Sequence, residues 1–231
     1  DRVLVGQTIA EAGGFVSADI CASVSGTVKK VGPVITGNGD EVMAVIVEND
    51  NEYEAVEGLG EARDYEKLTK EQIREAVKHA GLVGMGGAGF PTSVKLAVKD
   101  DSKIDYVIVN GAECEPFITS DHRTMLEHTD LIVKGVALLK RYLESEEFII
   151  GIEKNKPDAI EKLTKAFADD PAVTVKPLKS VYPQGAKQVL LYNAAGLVVG
   201  EGQRLASLGY IIINVTTLAK MAYSMETGMP L

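Results

Sequence analysis

Hydrophobic positions change their spacing twice along this 231-residue chain. Up to residue 57, short alternating stretches rich in Val, Ile and Gly predict strands at Ala22-Ser-Val-Ser-Gly-Thr-Val28 and Val42-Met-Ala-Val-Ile-Val47, with a turn at Gly37-Asn-Gly-Asp40. Glu57 to Asp64 is acidic and contains glycine, as a linker would. Thr69-Lys-Glu-Gln72 has capping-box spacing, and Ile73, Val77 and Ala80 then fall on one helical face. From residue 102 onward, strand-length apolar runs alternate with helical patterns. The strands are Tyr106–Val109, Phe148–Ile152, Val173–Val175 and Tyr210–Asn214; the helices are roughly His122–Leu143, Pro157–Ala168, Ala186–Ala195 and Thr217–Ser224. This alternation predicts an α/β, Rossmann-like, largely parallel sheet flanked by helices, preceded by a small all-β domain. The expected domains are residues 1–57 and 58–231.

Two stretches carry candidate chemistry. Gly84-Met-Gly-Gly-Ala-Gly-Phe-Pro-Thr-Ser-Val-Lys95 places four glycines within six residues, so the backbone can adopt positive φ and pass close to a ligand. Successive N–H groups can face a phosphate there, a helix start adds its dipole, and Lys95 adds a full charge. The spacing matches neither the dinucleotide fingerprint nor the P-loop, and a plain tight turn is the alternative. Asp105-Tyr-Val-Ile-Val-Asn-Gly-Ala-Glu-Cys-Glu-Pro116 reads as a strand buried on both faces whose C-terminal end delivers Asn110, Glu113 and Glu115. Ligands of open α/β sheets bind at that end. Asn110 can donate and accept at an isoalloxazine or amide edge, and Glu113 can accept from a ribose hydroxyl or a carboxamide. A solvated polar turn is the alternative for this stretch.

Taken together, the two motifs resemble the RnfC subunit of the ion-translocating electron transport complex. They are also similar to the NADH-binding flavoprotein subunit of respiratory complex I. Further matches follow in order at Ile150-Gly-Ile-Glu-x-Asn-Lys-Pro157, Tyr182-Pro-Gln-Gly185, Asn214-Val-x-Thr-Leu218 and Gly228-Met-Pro-Leu231, so the resemblance runs from Leu68 to the end. It implies an FMN site that takes a hydride from NADH and passes electrons singly toward iron–sulfur clusters and a ferredoxin-like acceptor. Gly84, Gly86, Gly87, Gly89 and Lys95 would hold the flavin phosphate and ribityl chain. Asn110 and Glu113 would face the flavin and the nicotinamide nucleotide, beside Tyr182 and Gly185. Phe90 would either stack on an NADH ring or cover the next helix as core. Asn214 and Thr217 would complete the flavin site, cap a helix, or do both. Glu115 would cap the turn or pair with Arg123. Ala186 stands where relatives commonly carry a glutamate, so either that carboxylate is absent or the loop is one residue shorter, which implies FMN binding with weak use of NADH or none. The N-terminal strands are similar to a lipoyl- or biotinyl-type barrel-sandwich domain. Ala10 to Asp19 contains no lysine for a swinging arm, and Lys29 and Lys30 follow the strand as surface residues, so the domain reads as a structural or docking module.

Composition narrows the partners. A net charge of −9 without a Lys/Arg cluster argues against nucleic acid and anionic membrane surfaces. No apolar run approaches the roughly 20 residues that span a bilayer. The two cysteines, Cys21 and Cys114, suggest no disulfide framework and fit a reducing cytosol, with attachment to the cytoplasmic face of a membrane only through partner subunits. Two thiols cannot ligate an iron–sulfur cluster. The resemblance implies that the expected 4Fe-4S clusters lie in a C-terminal region outside this sequence, which reads as a fragment. Two glutamates flank Cys114 and disfavour its thiolate, so no redox role is assigned to it. His79, His122 and His128 show no metal-ligand spacing. The competing functions are a related subunit serving a soluble reductase, of the proline-reductase or cobalamin-reductase type, and a non-catalytic scaffold.

Overall fold

The computed structural model describes all residues except 63, 99–102, 146, 201, 202 and 204. The N-terminal part contains β1 (Arg2–Val3), β2 (Thr8–Ala10), β3 (Ile20–Cys21), β4 (Gly26–Ile35) and β5 (Glu41–Asn49). An antiparallel sheet runs in the order β1-β4-β5, and β2 pairs with β3. The expected strand at Ala22–Val28 begins later, at Gly26. Buried Ser25 sets the boundary. Its hydroxyl donates to Asp50 at 2.6 Å and accepts from the Glu54 N–H at 3.0 Å, which ties the chain down just before the ladder starts. Lys29 and Lys30 consequently lie within β4 rather than after it; both are exposed, and Lys29 pairs with Glu48.

The second part begins with α1 (Lys70–His79), whose start carries both reciprocal bonds of the Thr69/Gln72 capping box. Next come α2 (Thr92–Leu96), β6 (Tyr106–Gly111), α3 (Ser120–Glu127), α4 (Thr129–Leu143), β7 (Glu147–Glu153), α5 (Pro157–Ala166), β8 (Val173–Leu178), α6 (Lys187–Ala195), β9 (Tyr210–Asn214) and α7 (Val215–Thr227). The single helix expected over His122–Leu143 is two helices. His128 leaves helical geometry, and the Thr129 hydroxyl donates to the Met125 carbonyl, taking the acceptor that a continuing helix would use.

Four parallel strands run in the order β8-β7-β6-β9. The chain builds outward from β6 to β8, then returns to lay β9 on the other side of β6. That reversal is a topological switch point, and it lies between β6 and β9. In register, Asn110 at the end of β6 stands beside Asn214 at the end of β9. Val107, Ile108 and Val109 are fully buried, as a strand covered on both faces should be. α4 and α7 lie so close that a Cβ at Gly135 would sit 2.7 Å from Leu218 Cγ and 2.8 Å from the Leu218 carbonyl oxygen.

Between the two parts, His79 Nδ1 lies 2.6 Å from buried Asp19 Oδ2, and the Asp19 N–H donates to the Lys78 carbonyl. Burial pushes the Asp19 carboxyl up. The bonds from His79 and the Ala12 N–H outweigh it, leaving the group below its ordinary value. Among the described residues, no helix is long and apolar enough to cross a membrane.

Candidate functional site

The sheet's C-terminal edge at the switch point gathers most of the residues singled out above. Gly84 opens a loop closed by its N–H to the Phe90 carbonyl at 2.8 Å. Residues 85–90 are exposed. Gly87 (φ 138°) and Gly89 (φ 61°) hold conformations that side-chain-bearing residues avoid, and a Cβ on either would meet nothing within 4 Å. Open space therefore lies beside the bare backbone. Gly86 differs: a Cβ there would come within 2.9 Å of Asn214 Nδ2, so the loop rests on that amide.

Asn214 and Thr217 hold the loop from below. Asn214 Oδ1 accepts from the Thr217 N–H at 3.0 Å and from its hydroxyl at 3.2 Å, capping α7. The Thr217 oxygen in turn accepts the Met85 N–H at 2.9 Å. The capping role expected for this pair is thus present, and it is also the loop's anchor.

Lys95 supplies the charge. α2 is only five residues long, with Thr92 and Ser93 buried, so its dipole adds little and the ammonium is the main anion-attracting group. Burial lowers the Lys95 pKa, and repulsion from Lys187 lowers it further. Among the described residues, neither lysine's ammonium group has a hydrogen-bond or ion-pair partner. Two unpaired ammonium groups that repel each other would be relieved by an anion.

Asn110 links this region to the segment after β8. Its Nδ2 donates to the Gly185 carbonyl at 3.1 Å, and its Oδ1 accepts from Ala112 N–H. The Gly185 N–H donates to Cys114 Sγ at 3.3 Å, so the cysteine fastens two loops. Lys187 begins α6 just beyond Gly185. Lys95, Lys187, Gly185 and Asn110 therefore share one end of the sheet. Tyr182 is 74 % exposed and Phe90 42 % exposed, which removes the core reading of Phe90 and leaves both rings at the surface.

Glu113 has a different duty from the expected one. It is buried with φ 51°, and its carboxylate accepts from the N–H groups of Asp121 at 2.6 Å and His122 at 3.1 Å. Both oxygens cap α3 instead of lying free for a ribose or carboxamide. Glu115 is exposed and is not the partner of Arg123, which pairs with Glu127.

Two further residues have a role that the sequence reading did not assign. Buried Lys156 donates to the carbonyls of Ala112 at 2.8 Å and Glu113 at 3.3 Å, and pairs with buried Glu153. It fixes the bend at which Glu113 takes its left-handed conformation. Asp121 accepts from Asn214 Nδ2 at 2.7 Å and from the Thr216 hydroxyl at 2.5 Å. Burial raises the Asp121 pKa, opposed by those two bonds and supported by Glu113 and Glu115. Only the Ser-Asp spacing at a helix start hinted at it. Buried Gln184 also keeps one amide nitrogen unpartnered.

The donor set suits a phosphorylated, planar, amide-edged ligand: exposed glycine backbone, unpaired ammonium groups, and two carboxamides at adjacent strand ends. Comparison with known proteins agrees. Residues 77–223 match the Nuo51 FMN-binding domain, and residues 1–52 match the RnfC barrel sandwich hybrid domain. A component of the proton-translocating ferredoxin:NAD(+) oxidoreductase complex of Clostridium ljungdahlii is 42 % identical over all of this chain and 50 % of its own length. A component of the Na(+)-translocating ferredoxin:NAD(+) oxidoreductase complex of Acetobacterium woodii is 42 % identical over all of this chain and 52 % of its own. A component of the ion-translocating oxidoreductase complex of Haemophilus influenzae is 34 % identical, with 36 % of its length covered. The chain thus spans about half or less of these relatives. An NAD+-reducing NiFe-hydrogenase in the H2-reduced state shares the fold, with TM-score 0.56 at 22 % identity over 70 % of this chain and 32 % of that one.

Proposed function

The chain belongs to the Nuo51 FMN-binding domain family, and with an RnfC barrel sandwich hybrid domain at residues 1–52 we propose that it is the FMN-binding portion of an RnfC-type electron-transfer protein. We place the boundary between its two domains at residues 57 and 58. FMN, when bound, supplies the exchange between two-electron hydride chemistry and single-electron transfer. The residues of this chain bind and orient it. The exposed backbone at Gly86, Gly87 and Gly89, with Lys95, would take the phosphate. Asn110 and Asn214 would face the ring system and ribityl chain. Tyr182 and Phe90 would flank the entry of the nicotinamide nucleotide. Glu113 would act through α3 and not by direct contact.

Electrons would come from NADH and leave toward iron–sulfur clusters outside this sequence and a ferredoxin-like acceptor, with other subunits of a membrane-associated complex as partners. Ala186 brings no carboxylate to the start of α6 and makes no side-chain cap there. NADH use should accordingly be weaker than FMN binding.

The observation that carries this reading is the register pairing of Asn110 and Asn214 across the switch point, with the unpaired Lys95 at the same end of the sheet. Titration of the chain with FMN should shift the flavin absorbance saturably, and anaerobic NADH should then bleach it. Absence of saturable binding would refute the reading and favour a scaffold; binding without bleaching would confine the function to FMN and assign the donor elsewhere.

A further inference from the structure

Asn214 lies under the glycine loop, but its amide must be oriented one way for the loop to be held. Oδ1 has to face the Thr217 N–H, because a flipped amide would set two donors against each other. Rotation is prevented by whatever accepts from Nδ2, and that acceptor is Asp121 Oδ2 at 2.7 Å. Asp121 is itself fixed from two sides. Its N–H is held by Glu113 Oε1, and its second carboxylate oxygen accepts from Thr216, whose oxygen lies 2.9 Å from Thr124 Oγ1. The contacts form one line from the end of β6 to the glycine loop: Glu113, Asp121, Asn214, Thr217, Met85.

We infer that Asp121 is a positioning residue for the cofactor loop: by locking the Asn214 amide it keeps Thr217 turned to the Met85 N–H and keeps the surface beneath Gly86 in place. Its importance for FMN affinity rests on the FMN reading above; its control of the loop does not. The role requires an acceptor toward Asn214, not a negative charge. Asparagine at 121 can meet it, with its carbonyl oxygen facing Asn214 and its NH2 facing the Thr216 oxygen, while the Thr216 hydroxyl donates to Thr124. Alanine cannot.

The test compares the wild-type chain with D121A, D121N and T216V. Hydrogen exchange at the Met85 amide is measured without ligand, and FMN affinity by quenching of flavin fluorescence. D121A should speed Met85 exchange and weaken FMN at least about tenfold, equal to about 1.4 kcal/mol. D121N should restore slow exchange and bind FMN within about threefold of wild type, under half of that free-energy interval. T216V, which leaves the Asn214 contact intact, should keep slow exchange. Unchanged Met85 exchange in D121A, or a D121N protein as impaired as D121A, would overturn the inference. Where D121A fails to fold, D121N alone decides, retention supporting the role and a tenfold loss rejecting it. A wild-type chain that ignores FMN would refute the proposed function, while Met85 exchange would still judge Asp121.

Discussion

The two loops that meet at the sheet edge are held in opposite ways. The segment from Asn110 to Glu115 is fastened along its length. Lys156 grips its carbonyls, Glu113 caps α3, Asn110 reaches the Gly185 carbonyl, and Cys114 receives the Gly185 N–H. The glycine segment is tied at its two ends by the Gly84–Phe90 bond and near its start by the Met85–Thr217 bond, while residues 85–90 lie exposed. A rigid wall thus faces a bare, adjustable one. Under the proposed reading, the wall would set where a planar ligand sits, and the bare backbone would meet the phosphate with few side chains to displace.

The contrast can be broken at the wall. K156M should destabilise the chain by about 3–5 kcal/mol in urea unfolding, because it strands buried Glu153 without a counter-charge and frees two carbonyls. Adding E153Q to K156M should recover part of that loss.

On the bare side the effect should appear in binding. K95M should weaken FMN by about 1.5–3 kcal/mol, the range for a hydrogen bond to a charged group. Thermal stability should hold or rise slightly, since a desolvated, unpaired charge is removed. The pH dependence follows from the same group. Its pKa is lowered in the free chain, so the ammonium is lost below the usual lysine range, and FMN affinity should fall as pH rises toward that range. In K95M this part of the profile should be absent.

G86A tests the seam between the two. The added Cβ would meet the Asn214 side chain, so a cost of about 1–3 kcal/mol in stability is expected, with weaker FMN binding. Weakest of all should be H79Q, at the distant contact with the N-terminal strands. Asp19 has a lowered pKa, so its contribution is present above the ordinary aspartate value and lost as pH falls through the folded one. H79Q should remove less than about 1 kcal/mol at neutral pH, and stability curves of the two proteins should converge in acid.

Sequence periodicity made the sheet legible because each strand is a run of apolar residues with no competing local signal. The capping box at Thr69 was equally plain, since its partners lie three residues apart. The site was legible as two motifs but not as a mechanism. Glu113 sits at positive φ, which sends its carboxylate to α3, and no pattern in the sequence announces that turn. Lys156 lies in a matched motif before Pro157, but the motif does not announce its role, because its carbonyl partners lie more than forty positions away. The break at His128 depends on one hydroxyl, Thr129, choosing a carbonyl over solvent. Such choices are made by tertiary surroundings and leave no local trace.

Gly135, on the side of α4 turned to α7, touches no candidate ligand, yet it governs how deeply α7 can seat. A methyl group there would collide with the Leu218 main chain, which cannot swing aside, so the whole rod would have to lift, carrying its first turn with it. Drift at this remote, hidden position would therefore retune the proposed flavin berth while every candidate lining residue stayed the same.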